Sequence, residues 1–328
     1  MEYILFSVFI VAFICTFIIT KLWIYVSHKD KFLVKDMNKL NSPLVPSSGG
    51  IAVIAGFVAG VLFYIGISTF YFKRTINMIE IFSLLSTVLI ISFIGILDDF
   101  VGGWKKGFKQ WQKPLLTLPA ALPLMVINAG QTEMMLPLIG RVNVGILYPL
   151  LFIPIGIVGA SQGFNMLAGL NGLETGMASI IIFTLGYLSW QLGNPWLAIV
   201  AATMVAALLA FLIFNRYPSK VFTGDVLLYP LGALIACISI LGNIERAALI
   251  LFIPYFLEFI IKAKHKFKSE CFLIPQPDGS LEPSGRYGSI THIVGAIIKK
   301  IKGKVYELDI VLFLIFVELI LAAIVILL

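Results

Sequence analysis

The sequence predicts an all-α protein, a polytopic bundle of about ten transmembrane helices whose polar chemistry is gathered in the loops of one face. Three observations predict it. Hydrophobic residues fill 59% of 328 positions and charged residues only 12%, against about 25% charged in an ordinary soluble domain. Mean hydropathy is +1.00. Apolar runs recur at the length, roughly 20 residues, that a helix needs to cross hydrocarbon.

In chain order the apolar stretches are 4–27, 49–69, 80–97, 114–130, 146–164, 176–193, 196–214, 226–243, 245–262 and 306–328. The first follows Met1-Glu2-Tyr3, with no basic lead and no clear small-residue cleavage site, so it reads as a retained span rather than a signal peptide. Pro119, Pro123, Pro149, Pro154 and Pro230 fall inside stretches, where neighbouring helices can satisfy the backbone groups a proline frees. Residues 1–328 read as a single membrane domain, and 263–305 as a loop within it, with turns marked by Pro275, Pro277, Asp278-Gly279 and Pro283. Cys15, Cys237 and Cys271 have no paired spacing, and two lie in apolar runs. No disulfide framework or zinc pattern follows.

Ten spans sort the loops into two classes. Loops 28–48, 98–113, 165–175, 215–225 and 263–305, with the end of the ninth stretch, carry 19 of the 24 Lys and Arg residues. The positive-inside rule makes this class cytoplasmic and leaves both termini outside. The excess of +7 is thereby explained without nucleic acid, for which the chain has no binding motif.

Five polar features fall in the cytoplasmic class. Asp98-Asp99 closes the third stretch. Acids avoid mid-bilayer depth, so the pair belongs at the cytoplasmic end, as an interfacial cap or as oxygen ligands for Mg²⁺. Lys105, Lys106, Lys109 and Lys113 follow and suit a polyphosphate. Asn165 to Glu174 (Asn-Met-Leu-Ala-Gly-Leu-Asn-Gly-Leu-Glu) brings Asn165, Asn171 and Glu174 between two apolar stretches. It reads equally as a turn and as amides able to ligate a metal or read a base edge. Asn215 to Asp225 sets Phe222, Gly224 and Asp225 at the start of a stretch, as an interfacial turn or as an aromatic and an acid facing a ligand. Lys264-His265-Lys266 is either topological charge or an anion clamp. Asp36, Asn38 and Lys39, with Gly49-Gly50 after them, form a polar entry to the second stretch, without the spacing of a P-loop. The chain has no Ser-His-Asp set, HExxH or Rossmann fingerprint, and His28, His265 and His292 are too scattered for a metal cluster.

Together these supply acids, amides, an aromatic and cations, the kit for phosphoryl transfer from a nucleotide at a membrane surface. A lipid-phosphate or nucleotide-sugar transporter is the alternative from another class. It predicts deep charges or matched broken helices, whereas Glu258 and Glu318 are the only acids well inside stretches.

The acidic pair followed by Lys113-Pro-Leu-Leu, the Asn165–Glu174 run and the Tyr-Pro-Ser-Lys-Val-Phe-Thr-Gly-Asp segment ending at Asp225 resemble the polyprenyl-phosphate N-acetylhexosamine-1-phosphate transferases. These belong to glycosyltransferase family 4. The Ala-Gly-Leu-Asn-Gly-Leu-Glu form resembles the UDP-GlcNAc–dolichyl-phosphate GlcNAc-1-phosphate transferases more than their cell-wall relatives. The resemblance covers about 36–282. It implies a ten-span bundle in which a phosphate oxygen of dolichyl or another polyprenyl phosphate attacks the β-phosphorus of UDP-GlcNAc. UMP leaves, and the product begins lipid-linked oligosaccharide assembly for N-glycosylation. The same chemistry with another UDP-N-acetylhexosamine stays open. It further implies Mg²⁺ on Asn165 and Asp225, uracil held by Asn171 and Phe222 with Glu174 beside it, and Lys113 at the pyrophosphate. Asp98 and Asp99 would stand beside the reacting phosphates. Lys264, His265 and Lys266 are the nearest match to a basic-His-basic sugar loop. Gly102-Gly103 stand where the family often has a third acid or amide. Implied partners are the sugar nucleotide, the polyprenyl phosphate and the bilayer, with a homodimer left open. The implied setting is a prokaryotic, specifically archaeal, cell membrane.

Overall fold

The computed structural model describes residues 2–74, 77–105, 108–131, 133–136 and 140–328. All ten apolar stretches are helical. Eight are continuous and long and apolar enough to cross a membrane: Ile4–Lys29, Gly50–Tyr71, Met78–Val101, Tyr148–Met166, Leu173–Gln191, Pro195–Asn215, Asp225–Gly242 and Glu307–Leu327.

The other two are broken. After α1 (Glu2–Lys29), α2 (Gly50–Gly66) and α3 (Met78–Lys105), the fourth stretch divides into α4 (Gln112–Thr117), a 3₁₀ turn over Leu118–Ala121 and α5 (Leu122–Val126). Pro119 and Pro123 sit at the starts of the last two pieces, where each removes an N–H that a continuous helix would have bonded. Next come α6 (Ile153–Met166), α7 (Leu173–Gln191), α8 (Pro195–Asn215) and α9 (Asp225–Gly242). The ninth stretch then divides at Phe252 into α10 (Glu245–Leu251) and α11 (Ile253–Lys264), with Pro254 in the first turn of α11. Pro230, by contrast, is accommodated inside α9.

The 263–305 segment is more ordered than a loop with turns. It contains α12 (Ile290–Lys302) before α13 (Glu307–Leu327). Ser289 caps α12, accepting from the Thr291 N–H at 3.3 Å. Its buried face is Thr291, His292, Val294, Gly295 and Ile298, while Ile297 and Ile301 are exposed. Three two-stranded antiparallel hairpins complete the described residues: β1 (Leu33–Lys35) with β2 (Leu44–Pro46), β3 (Glu133–Leu136) with β4 (Gly140–Asn143), and β5 (Ile274–Pro275) with β6 (Leu281–Glu282).

The helix ends sort as the loops do. Trp23 at the end of α1 donates to the Ser47 carbonyl before α2. Thr175 of α7 bonds Asn215 at the end of α8. Asp99 of α3 meets the start of α9, and the Asn171 N–H before α7 meets Glu307 at the start of α13. Lys262 of α11 meets the Met166 carbonyl of α6. All five loops predicted to share a face therefore meet at one end of the bundle. Close crossings fix the helices that carry the site. A Cβ on Gly232 of α9 would lie 2.2 Å from the Ala160 carbonyl of α6, and one on Gly95 of α3 would lie 2.4 Å from the Asp225 carbonyl. Small residues at these points let the backbones touch.

Candidate active site

Adjacent residues on a helix diverge by about 100°, and the acidic pair uses this divergence. Asp98 turns to Lys113, 2.9 Å away, and accepts from the Tyr229 hydroxyl at 2.6 Å and the Phe108 N–H at 3.0 Å. Asp99 turns to the start of α9. It accepts from the N–H groups of Asp225 at 2.8 Å and Val226 at 3.3 Å, and from the Ser48 hydroxyl at 2.6 Å. The first N–H groups of a helix have no partner in their own helix and carry its positive end. Asp99 is thus a helix cap supplied by a different helix. Gly224, with φ +72°, makes room for it: a Cβ there would come within 2.4 Å of the Asp99 carboxylate.

That cap presents Asp225 as the first residue of α9, with its carboxylate 3.3 Å from Lys113 Nζ. Lys113 therefore bridges Asp98 and Asp225. Burial opposes its charge, but Asp225 and Asp98 outweigh it and hold its pKa above the ordinary lysine value. Asn165 approaches from α6. It lies four residues beyond Ser161, whose Cα meets the Gly232 crossing, and Asp225 lies seven residues before Gly232 on the antiparallel α9. Both spacings return to the contact face, with an axial offset of only about 4–5 Å. Among the described residues the half-buried Asn165 side chain has no hydrogen-bond partner.

Phe222 is held by its backbone, donating to the Pro46 carbonyl and accepting from the Gly49 N–H, both at 2.8 Å. Its ring is half-buried. Asn171 is buried and bonded at both ends of its amide. Its amide donates to Asp36 at 3.3 Å, its carbonyl accepts from the Ser219 N–H at 2.8 Å, and its backbone N–H donates to Glu307 at 2.6 Å. Glu174 accepts from the Gly169 N–H within the same loop, and Asn38 donates to the Gly169 carbonyl at 2.8 Å. Lys39 pairs with Glu307 and lies 4.3 Å over the Tyr217 ring. Asn171, Glu174, Asp36, Asn38 and Lys39 thus form a knot that joins the loops.

Lys264 and Lys266 are exposed at the end of α11, with His265 half-buried between them. Among the described residues their side chains make no bond to the acidic cluster. The Lys105 side chain and Lys106 lie outside the described residues, as do side-chain details at Gly102-Gly103, and Lys109 is exposed. Sequence reasoning missed Ser48, Tyr229 and Glu307. Ser48 lay in a weak polar motif, Tyr229 in an apolar run, and Glu307 at a span end.

Two cavities lie in the bundle. One of about 720 Å³ opens at the same end, where His28, Asp36, Lys39, Tyr217, Ser219 and Lys220 stand among apolar lining residues. An apolar groove of about 450 Å³ runs along α6, α9, α10 and α11, from Tyr148 and Glu245 at the far end to Gly163 and Phe259.

Residues 81–243, which include both acids, Lys113, Asn165, Phe222 and Asp225, match the model of glycosyl transferase family 4. A Sulfolobus acidocaldarius protein, provisionally named a UDP-N-acetylglucosamine–dolichyl-phosphate N-acetylglucosaminephosphotransferase, is 36% identical over 315 residues, 95% of this chain and 92% of that one. The chain belongs to glycosyl transferase family 4. A Saccharolobus solfataricus family relative of the same provisional name is 36% identical over 305 residues, 92% of this chain and 90% of its own. A phospho-N-acetylmuramoyl-pentapeptide-transferase of Streptococcus thermophilus is 34% identical over 180 residues, 53% of each chain. The similarity thus covers about half of this chain for the Streptococcus protein and nearly the whole for the Sulfolobus and Saccharolobus ones.

Proposed function

We propose that this protein transfers GlcNAc-1-phosphate from UDP-GlcNAc to dolichyl or another polyprenyl phosphate and releases UMP, opening lipid-linked oligosaccharide assembly for N-glycosylation. The observation that carries the reading is the Asp98–Lys113–Asp225 cluster at the end of the bundle toward which the apolar groove runs. It pairs a polar site for a nucleotide with a route for a lipid chain.

The reaction forms one P–O bond, from the acceptor phosphate to the β-phosphorus, and breaks the one to UMP. A phosphate monoester is mostly dianionic at neutral pH, its second pKa being about 6, so the nucleophile needs little deprotonation. Positioning and charge neutralisation supply most of the rate. Lys113 brings a fixed positive charge to the pyrophosphate, and Asp98, itself held by Tyr229, orients it. Asp99 fixes the first turn of α9 and through it Asp225. Phe222 offers a ring face to the uracil.

Mg²⁺ suits this donor set. Asn165 and Asp225 offer hard oxygens, and an ion bound by few protein ligands completes its shell with phosphates and water. Among the described residues no three His, Cys, Asp or Glu stand together as a metal site, so such an ion would rest on Asn165 and Asp225 with its substrates. When bound, the ion supplies neutralisation of phosphate charge. The basic face of the bundle supports a cytoplasmic site in the cell membrane.

The test is direct. Purified protein with labelled UDP-GlcNAc, a polyprenyl phosphate and Mg²⁺ yields labelled lipid and equimolar UMP. UDP-GalNAc run in parallel reads the sugar preference. Nucleotide binding with neither product would overturn the reading.

A further inference from the structure

Lys262 stands where the apolar groove ends. Tyr255, Phe256 and Phe259 of α11 line that groove, and Lys262 follows Phe259 by three residues, one helical turn. On the facing helix Gly163 is the last lining residue, and Asn165 and Met166 follow it. Lys262 donates its ammonium to the Met166 carbonyl, one residue from Asn165. The side chain keeps 12% of its surface accessible.

The partners of this ammonium leave it competent for an anion. Glu258 is 3.4 Å away. Its other oxygen accepts from the Ser289 hydroxyl at 3.0 Å and the Ile290 N–H at 2.7 Å. The positive end of α12 therefore answers part of the Glu258 charge. An ammonium has three donors, and Met166 and Glu258 account for two. The neighbouring Cys271 thiol, 3.1 Å from the Met166 carbonyl, is pushed up to about 11 by burial and adds no charge. The acid cluster, meanwhile, sets two carboxylates, Asp98 and Asp225, against one ammonium, Lys113, with Asp99 next to them on the first N–H groups of α9. A dianionic acceptor arriving along the groove needs a cation on its own side.

We propose that Lys262 binds the phosphate of the polyprenyl acceptor, holding it between the apolar groove and Asn165. This rests on the transferase reading and adds the residue that anchors the second substrate. The competing role is structural: Lys262 as a cap on the C-terminal carbonyls of α6. The two roles separate in kinetics.

The experiment measures KM for a polyprenyl phosphate at saturating UDP-GlcNAc, and the reverse, for wild type, Lys262→Met and Lys262→Arg. The expected result is a rise of about tenfold or more in acceptor KM for Lys262→Met, the scale of one lost charge-assisted hydrogen bond. KM for UDP-GlcNAc stays within about twofold, and Lys262→Arg recovers most of the loss. Polyprenyl alcohol, which has the chain without the phosphate, inhibits wild type and Lys262→Met equally. Lys262→Gln, which keeps a donor for the Met166 carbonyl, carries the same test if Lys262→Met does not accumulate. Equal rises in both KM values, or a fall in kcat alone, would overturn the assignment and leave the cap. An inactive wild type overturns the transferase reading, and this assignment with it.

Discussion

At the scale of single residues, neighbours of like chemistry do different work. Asp98 and Asp99 are adjacent in sequence, yet one faces an ammonium and the other two backbone N–H groups. Asp99→Ala is therefore expected to lower stability by about 1–2 kcal/mol, the range for a lost helix cap, together with activity. Thermal denaturation checks it, and an unchanged melting temperature with full loss of turnover would make Asp99 a direct participant instead. Asp225→Asn should behave oppositely. It keeps the fold but loses turnover by at least about 100-fold, and its Mg²⁺ titration should shift to higher concentration; near-normal turnover would remove Asp225 from the metal site. Lys113, its pKa raised in the folded state, contributes ion-pair stability that is complete below the ordinary lysine value near 10.4. That stability is lost as pH rises through the folded value. The stability gap between wild type and Lys113→Met should thus narrow as pH rises beyond about 10, as melting curves on the alkaline side would register. Motif spacing exposed Asp98, Lys113 and Asp225 because polar residues stand out against apolar runs. It could not expose Tyr229, whose hydroxyl matters only after α3 and α9 pack. Nor could it show that the Asn171 side chain is bonded to Asp36 and Ser219.

At the scale of elements, the site depends on where helices cross. Asn165 and Asp225 lie about one and two turns from a single crossing, where Gly232 lets α9 touch the Ala160 carbonyl of α6. Gly232→Val forces the pair apart, at a cost of about 1–3 kcal/mol for overpacking, and should raise the Mg²⁺ concentration needed for half-maximal activity. Gly66→Ala, where an added Cβ meets nothing within 4 Å, is the control and should leave both stability and the Mg²⁺ response unchanged. If the two variants titrate alike, the crossing does not set the metal site. The existence of the helices was legible because a span is a long signal, about 20 apolar residues. Their breaks were not. Pro119 and Pro123 interrupt the fourth stretch while Pro230 leaves α9 whole, and the sequence around each is equally apolar. α12 was hidden for a different reason. Its apolar face is only as wide as a short surface helix needs, and it lies in a segment whose lysines and prolines read as loop.

At the scale of the whole molecule, the bundle has two chemically unlike ends. The loops that meet at the Asp98–Lys113–Asp225 end, with the helix end at Lys262, hold 19 of the 24 Lys and Arg residues. Such a charge asymmetry orients a membrane protein during insertion. It is also what the proposed reaction needs, since sugar nucleotides are anionic and the acceptor phosphate must face the same compartment. Orientation can be read without activity. Single cysteines are placed at Lys268, exposed beside the end of α11, and at Gln191, exposed at the far end of α7. Cys15, which is partly accessible, is replaced by Ser, while Cys237 and Cys271 are buried. In intact cells a membrane-impermeant maleimide should label Gln191→Cys and should reach Lys268→Cys only after permeabilisation. The reverse pattern would put the site outside the cell. It would also remove the cytoplasmic transferase reading, because the donor nucleotide would then have to cross the membrane before it could bind.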